Sequence, residues 1–323
     1  MVNNFLANLI NKNYKIFAPQ KTGQFLVIKE LTEAKKADYS AKIPANSWKK
    51  LFHPASETLF DYQNEKFFES LENYPKTVAW GMNVLDLRAL GLFDLVFAND
   101  FNYQKRRKNI LVVGLSVGAP SEMRDWQVFS HNLEENILEH LPFDVFLEKT
   151  KSKDFKIYAG SFRGAELLEK NKITNYEKIE FSGLIPEEGP DQKMFAHKKT
   201  MEDKKNSKVW QELGKICIAC GKCSLVCPTC FCFDIYDEAV DKNQFKRIRS
   251  WASCFYPQFS EIGGGQNFLT TIAQKIHFWY EHKFVRIPGE YKIPGCVSCG
   301  RCGEVCPVGI KIKDTFKALE NDK

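Results

Sequence analysis

The chain has 323 residues, 44% of them hydrophobic and 26 of them Phe, which is enough to bury a sizeable core and, on length, to form two domains. Its formal charge of +6 comes from scattered lysines, and no apolar run approaches the ~18 residues of a membrane span. The N-terminal segment has no cleavable signal pattern, so its 11 cysteines are expected in a reducing compartment, the cytoplasm, and not in a disulfide framework.

From the N-terminus, MVNNFLANLINKNYKIF reads as an amphipathic helix followed by a strand. Strand-like apolar runs follow at 14–17 (YKIF), 25–28 (FLVI), 77–81 (TVAWG), 110–115 (ILVVGL) and 155–160 (FKIYAG). Helical patterns lie between them, at 84–97 (VLDLRALGLFDLVF) and 133–141 (LEENILEHL). The alternation predicts a mixed α/β domain over residues 1–185, with a sheet flanked by helices. The basic runs KRRK at 105–108 and HKKTMEDKKNSK at 197–208 lack an aromatic-rich binding module, so they predict solvated surface and not a nucleic-acid patch. A polar stretch containing Pro and Lys over 186–207 is expected to be a linker.

The strongest signal lies beyond it. Cys217, Cys220, Cys223 and Cys227 are followed by Pro228, and Cys296, Cys299, Cys302 and Cys306 by Pro307. Both runs read C-x₂-C-x₂-C-x₃-C-P, the spacing with which bacterial-type ferredoxins hold cubane [4Fe–4S] clusters. Thiolates are the soft, anionic ligands that iron in a sulfide-bridged cube requires. CIACGKCSLVCP and CVSCGRCGEVCP agree at seven of twelve positions, a short internal repeat with pseudo-two-fold character. Gly221 and Gly300 would let the backbone approach the sulfides, and Lys222 and Arg301 would set a cation beside each cluster. Structural zinc normally shows two C-x₂-C pairs or a Cys/His set, which fits this spacing poorly.

In two-cluster ferredoxins the fourth cysteine of each run ligates the other cluster. On that pattern cluster one takes Cys217, Cys220, Cys223 and Cys306, and cluster two takes Cys296, Cys299, Cys302 and Cys227. The expected fold class is α+β or α/β: an N-terminal mixed domain, then a ferredoxin-like two-[4Fe–4S] domain over 208–323. Residues 233–290 between the runs are expected to form a long helical insertion, from the pattern TIAQKIHFWYEHKF at 271–284 and with RIRSWASC at 247–254 as part of a helical cap. EIGGGQNF at 261–268 lacks a nucleotide-loop pattern and suggests a tight turn against a cluster or a helix. Cys230, Cys232 and Cys254 remain; they are either ligands of a further metal site or small apolar core residues. None of the six histidines stands at a metalloprotease spacing, and no catalytic acid, base or nucleophile is evident.

CPTCFCFDIYD, RIRSWASCF, GGGQNF, EHKF and PGCVSCGRCGEVCPVGIKI together resemble the iron–sulfur beta subunit of cytoplasmic sulfhydrogenases, a group of [NiFe] hydrogenases, and also the corresponding iron–sulfur subunit of anaerobic sulfite reductase. The likeness is strongest over about 208–313. It extends upstream through FHPASETLF, WGMNVLDLRALGLFDLVF and the cluster Tyr103, Arg106 and Arg107. The resemblance implies an electron-transfer subunit with two [4Fe–4S] clusters, in a hetero-oligomer without nucleic acid or membrane. Its partners would be a flavin subunit that uses NAD(P)H and hydrogenase or sulfite reductase subunits; a free redox carrier or sensor is the other reading. Relatives often carry a Gly-x-(Arg/His)-Pro-Cys-Asp run where this chain has Gly81-Met82-Asn83-Val84-Leu85-Asp86, and further cysteines after the strand at 111–117. This chain has no cysteine before Cys217.

Overall fold

The computed structural model describes residues 1–12, 14–70, 74–118, 133–152 and 154–322. Its strands are β1 (Lys15–Thr22), β2 (Phe25–Glu30), β3 (Ser56–Gln63), β4 (Lys66–Glu69), β5 (Thr77–Met82), β6 (Ile110–Val117), β7 (Val145–Lys149), β8 (Phe155–Ala159), β9 (Glu177–Lys178), β10 (Phe233–Asp241), β11 (Gln244–Trp251), β12 (Glu261–Ile262) and β13 (Gln266–Asn267). The chain forms two compact units. The first contains Met1–Phe52, Tyr74–Gln192 and Cys296–Cys299; the second contains His53–Asn73, Lys193–Gly295 and Gly300–Lys323.

The first unit is built on a seven-stranded mixed sheet, ordered β2-β1-β5-β6-β7-β8-β9. At its centre β6 runs parallel to β5 and β7. All but its last residue are buried, as a parallel strand covered on both faces requires. Gly114 in β6 leaves room for the Phe146 ring, which a Cβ would meet at 2.3 Å. The helix Val2–Asn11 buries Val2, Phe5, Leu6 and Leu9 at helical spacing, with Phe5 edge-on to Trp80 at 5.4 Å. Helix Val84–Val96 is capped by Asn83, whose side chain accepts from the Asp86 amide and donates to the Asp86 carboxylate.

Five strand segments and both of these helices match the sequence reading. LEENILEHL does not: only Ile137–His140 is helical, as one 3₁₀ turn. There Glu135 binds the His140 ring at 2.7 Å and lies within reach of the Glu187 amide, while Asn136 caps Leu138. The basic run KRRK is also largely consumed within the first unit. It sits on helix Phe101–Lys108, where buried Arg106 donates to the Phe52 carbonyl at 2.7 Å and Arg107 pairs with Asp94 at 3.0 Å. His131 and the segment beyond Gly118 up to 132 lie outside the described residues.

The second unit corrects two expectations. The segment 186–207 is not simply a linker, because Gln192–Asp203 is helical. Met194 and Met201, seven residues apart, bury one stripe, and Lys199–Asp203 pairs across one turn on the outside. The insertion at 233–290 is not helical throughout either. Residues 233–251, including most of RIRSWASC, form the antiparallel hairpin β10–β11, which joins β3 and β4 in a four-stranded sheet ordered β10-β11-β3-β4. Alternating side chains and the Asp241-Lys242-Asn243 turn favour a hairpin locally, and pairing with the distant β3 fixes it. EIGGGQNF forms the small hairpin β12–β13, with open space around Gly263, Gly264 and Gly265 and no close approach to a neighbour.

Helices follow only after Thr271. Ile272–Glu281 opens with a Thr271/Gln274 capping box. A π-helical turn, His282–Arg286, comes next, and then Ile287–Tyr291. Pro288 has no N–H to give the Phe284 carbonyl, which breaks the regular ladder at this point. Helix Val209–Ile216 lies close against Ile272–Glu281, where a Cβ on Gly214 would come within 2.9 Å of Ala273. The terminal helix Ile312–Asn321 packs Phe316 on Phe284 at 4.8 Å, and its Thr315 accepts from the Tyr280 hydroxyl at 2.8 Å.

Within the four-stranded sheet, Arg249 of β11 donates from Nε and Nη2 to Glu57 Oε1 of β3, both at 2.8 Å, with side chains 4% and 0% exposed. Removing one partner takes the direct ion pair from a charge that stays buried. Arg249→Met is expected to lower stability by about 3–5 kcal/mol, and the double substitution Glu57→Gln with Arg249→Met by less than that. Chemical denaturation of the three proteins checks this order.

Candidate iron–sulfur centres

The two cysteine runs share a backbone as well as a sequence. Ala219 and Ser298, each one residue before the second cysteine, have positive φ angles of 52° and 56°. Gly221 and Gly300, each just after it, have φ of 73° and 75°. Two left-handed residues around one cysteine curl the chain into a tight loop, the kind of backbone that wraps one face of a cluster. In both loops an amide two residues on donates to the first sulfur, Ala219 N to Cys217 Sγ and Ser298 N to Cys296 Sγ, each at 3.4 Å. Both loops then enter a short helix, Lys222–Val226 and Arg301–Glu304, whose first amides return to the carbonyl of the preceding glycine. Internal homology has thus produced two loops of one shape.

In the second unit Cys217, Cys220, Cys223, Cys302 and Cys306 line one cavity. Its other walls are mainly apolar, including Phe255, Ile276, Trp279, Tyr280, Ile310 and Ile312. The first run therefore meets Cys306 of the second run here. Burial pushes the Cys223 thiol up to about 12 and raises that of Cys217 as well. Thiols so placed give up their protons to a bound metal and not to water. Soft donors inside an apolar wall fit a cubane: the thiolates suit its irons and the wall shields its sulfides. Among the described residues no three His, Cys, Asp or Glu side chains converge as a single ion would require.

Of the predicted ligands outside that cavity, Cys227 falls in the second unit, and Cys296 and Cys299 group with the first. Cys227 closes the helix Lys222–Val226 and is 8% exposed. A hydrogen bond from Cys230 holds its thiol well below the ordinary range, helped by the nearby Lys283 charge and the Thr229 backbone amide. The same bond raises Cys230, which stays protonated. Cys230 and Cys254 are buried, and Cys232 is half-buried; burial raises the Cys254 thiol. Lys222 lines the same cavity as Cys217, Cys220 and Cys223. Lys283, which lies outside both cysteine runs, escaped the sequence reading; its presence within EHKF is visible, but its approach to Cys227 is not.

Such loops define a two-cluster iron–sulfur protein, and comparison with known proteins agrees. Residues 216–310 match the 4Fe-4S dicluster domain family. The chain carries two [4Fe–4S] clusters and has an iron–sulfur electron-transfer role. It is 28% identical over 282 residues to the sulfhydrogenase 2 subunit beta of Pyrococcus furiosus, covering 81% of this chain and 79% of that protein. An alignment of that length extends well beyond the dicluster domain, and it supports the sulfhydrogenase beta-subunit family that the motifs resembled. No solved structure matches the chain. No helix among the described residues is long and apolar enough to cross a membrane.

The two glycines separate conformational from steric demands. A Cβ on Gly221 would stand 2.8 Å from Tyr256 and 2.9 Å from Ser253 Oγ, whereas one on Gly300 meets nothing within 4 Å. Gly300→Ala is expected to cost only the left-handed penalty, about 1–2 kcal/mol, and to keep about eight irons per chain. Gly221→Ala is expected to cost more and to lose about four irons. Iron analysis beside thermal unfolding checks both.

Proposed function

We propose that this chain is the electron relay of a sulfhydrogenase-type complex, passing electrons between a flavin subunit that uses NAD(P)H and the catalytic [NiFe] part. The observation that carries the reading is the pair of matched C-x₂-C-x₂-C-x₃-C-P loops within a chain similar over most of its length to a sulfhydrogenase beta subunit. Each bound cluster supplies a one-electron site.

The ligand sets are crossed in this proposal: Cys217, Cys220, Cys223 and Cys306 for cluster one, and Cys296, Cys299, Cys302 and Cys227 for cluster two. The shared cavity of Cys306 with the first run supports the first set. The protein residues hold the thiolates, exclude water with Phe255, Trp279 and Tyr280, and donate amide hydrogens to the sulfurs. Cys230 and Cys254 act in this reading as small buried packing residues.

Two variants and one purification test it. Cys299→Ser is expected to lose about four irons and to destabilise the dicluster region, since metal binding and folding are coupled. Cys254→Ser is expected to keep about eight; a fall of several irons would make it a ligand. Anaerobic purification of the tagged chain from its own host should recover a flavoprotein together with nickel–iron subunits. Recovery with a sirohaem subunit would replace the hydrogenase assignment with sulfite reduction, and recovery alone would contradict a fixed subunit.

A further inference from the structure

The two loops match until their fourth cysteine. Cys306 accepts from a neutral backbone amide, Ile310 N, at 3.3 Å. Its counterpart Cys227 accepts from the ammonium of Lys283 at 3.2 Å. The Lys283 Nζ also donates to Thr229 Oγ1 at 3.0 Å and approaches the Gly295 carbonyl at 3.4 Å. Thr229 spends its own hydrogen on the Gly295 carbonyl at 2.7 Å, so its oxygen is left to accept. Three acceptors around one nitrogen match the three donors of an ammonium.

Lys283 is 2% exposed, and the π-helical turn His282–Arg286 carries it inward to Cys227. Its Nζ also stands 5.3 Å from the centre of the Trp279 ring, a favourable position for a cation. The neighbouring His282 is pushed down to about 4 by burial and then by the charges of Lys283 and Arg286, so it stays neutral and adds no second charge.

Hydrogen bonds with an ionised partner are roughly twice as strong as neutral ones. A cluster gains negative charge on reduction, so a buried cation on one of its sulfurs favours the reduced form. We propose that Lys283 sets the potential of the cluster that Cys227 ligates, making it the higher-potential member of the pair and the resting place of a single electron. The inference rests on the ligand sets proposed above. One electron enters that cluster on reduction, the Lys283 proton stays on Nζ, and no bond is made or broken.

The test is an anaerobic redox titration of the full-length cluster-loaded protein, followed by electron paramagnetic resonance, with iron counted in every sample. The native protein should show two separate one-electron couples. Lys283→Met should weaken the higher couple at least tenfold in equilibrium constant, about 59 mV, and leave the lower couple in place. Lys283→Arg should keep the higher couple close to its native value. Lys283→Gln, which retains a donor without the charge, serves where the Met variant loses iron.

Two unmoved couples in a fully loaded Met or Gln variant, or movement of the lower couple, would overturn the proposal. Loss of iron from both uncharged variants would also overturn it, by making Lys283 a structural element. Cys227→Ser keeps the two questions apart. Loss of about four irons upholds Cys227 as a ligand whatever Lys283 does, and retention of about eight would refute that ligation by itself.

Discussion

A cubane needs a thiolate at each of its four irons, and a short loop can wrap only one face of it. Each run here offers three closely spaced cysteines and a fourth that follows a helical turn, Lys222–Val226 in one and Arg301–Glu304 in the other. Much of the second unit serves that constraint. Helix Val209–Ile216 delivers Cys217 at its C-terminal end, and the helix Ile272–Glu281 supplies Ile276, Trp279 and Tyr280 to the cavity wall. Phe255, Ile276, Trp279 and Tyr280, all between the two runs, thus wall the cavity that Cys217, Cys220, Cys223, Cys302 and Cys306 line.

The repeat gives two loops of one shape, and the housing makes them unequal. Left-handed residues and amide-to-sulfur bonds recur at matching positions of the two runs. The neighbours do not recur: Gly221 is pressed by Tyr256 and Ser253, Gly300 has open space, and only Cys227 of the two fourth cysteines has an ammonium against it in the observed bonds. Two identical clusters would give an electron no preferred position. An asymmetric shell around symmetric loops provides one.

The cluster loops were legible in the sequence because three cysteines of each run are local: spacing, glycine and proline state the loop almost completely. Strands β5 and β6 were legible for a similar reason, since buried parallel strands are continuous apolar runs. The hairpin β10–β11 was obscured because FDIYDEAVD lies almost wholly exposed, so no buried face marks it, and its order depends on pairing through β11 with β3 far upstream. The helix Gln192–Asp203 was hidden in a lysine-rich stretch whose two buried methionines mark its inner face only once it is folded. Lys283 was illegible as a cluster neighbour, because a π turn and 56 residues of separation bring it to Cys227. KRRK shows the opposite error, in which a surface-like charge run turns out to hold buried and paired arginines.

The crossed ligation is the claim on which the rest depends, and the most direct measurement is the spectrum and potential of the cluster that survives when Cys306 is changed. If Cys306 serves the first run, reduced Cys306→Ser and Cys217→Ser proteins keep the same cluster, with the same potential and resonance signal. If Cys306→Ser instead keeps the cluster that survives in Cys296→Ser, each run holds its own cubane and the account is wrong.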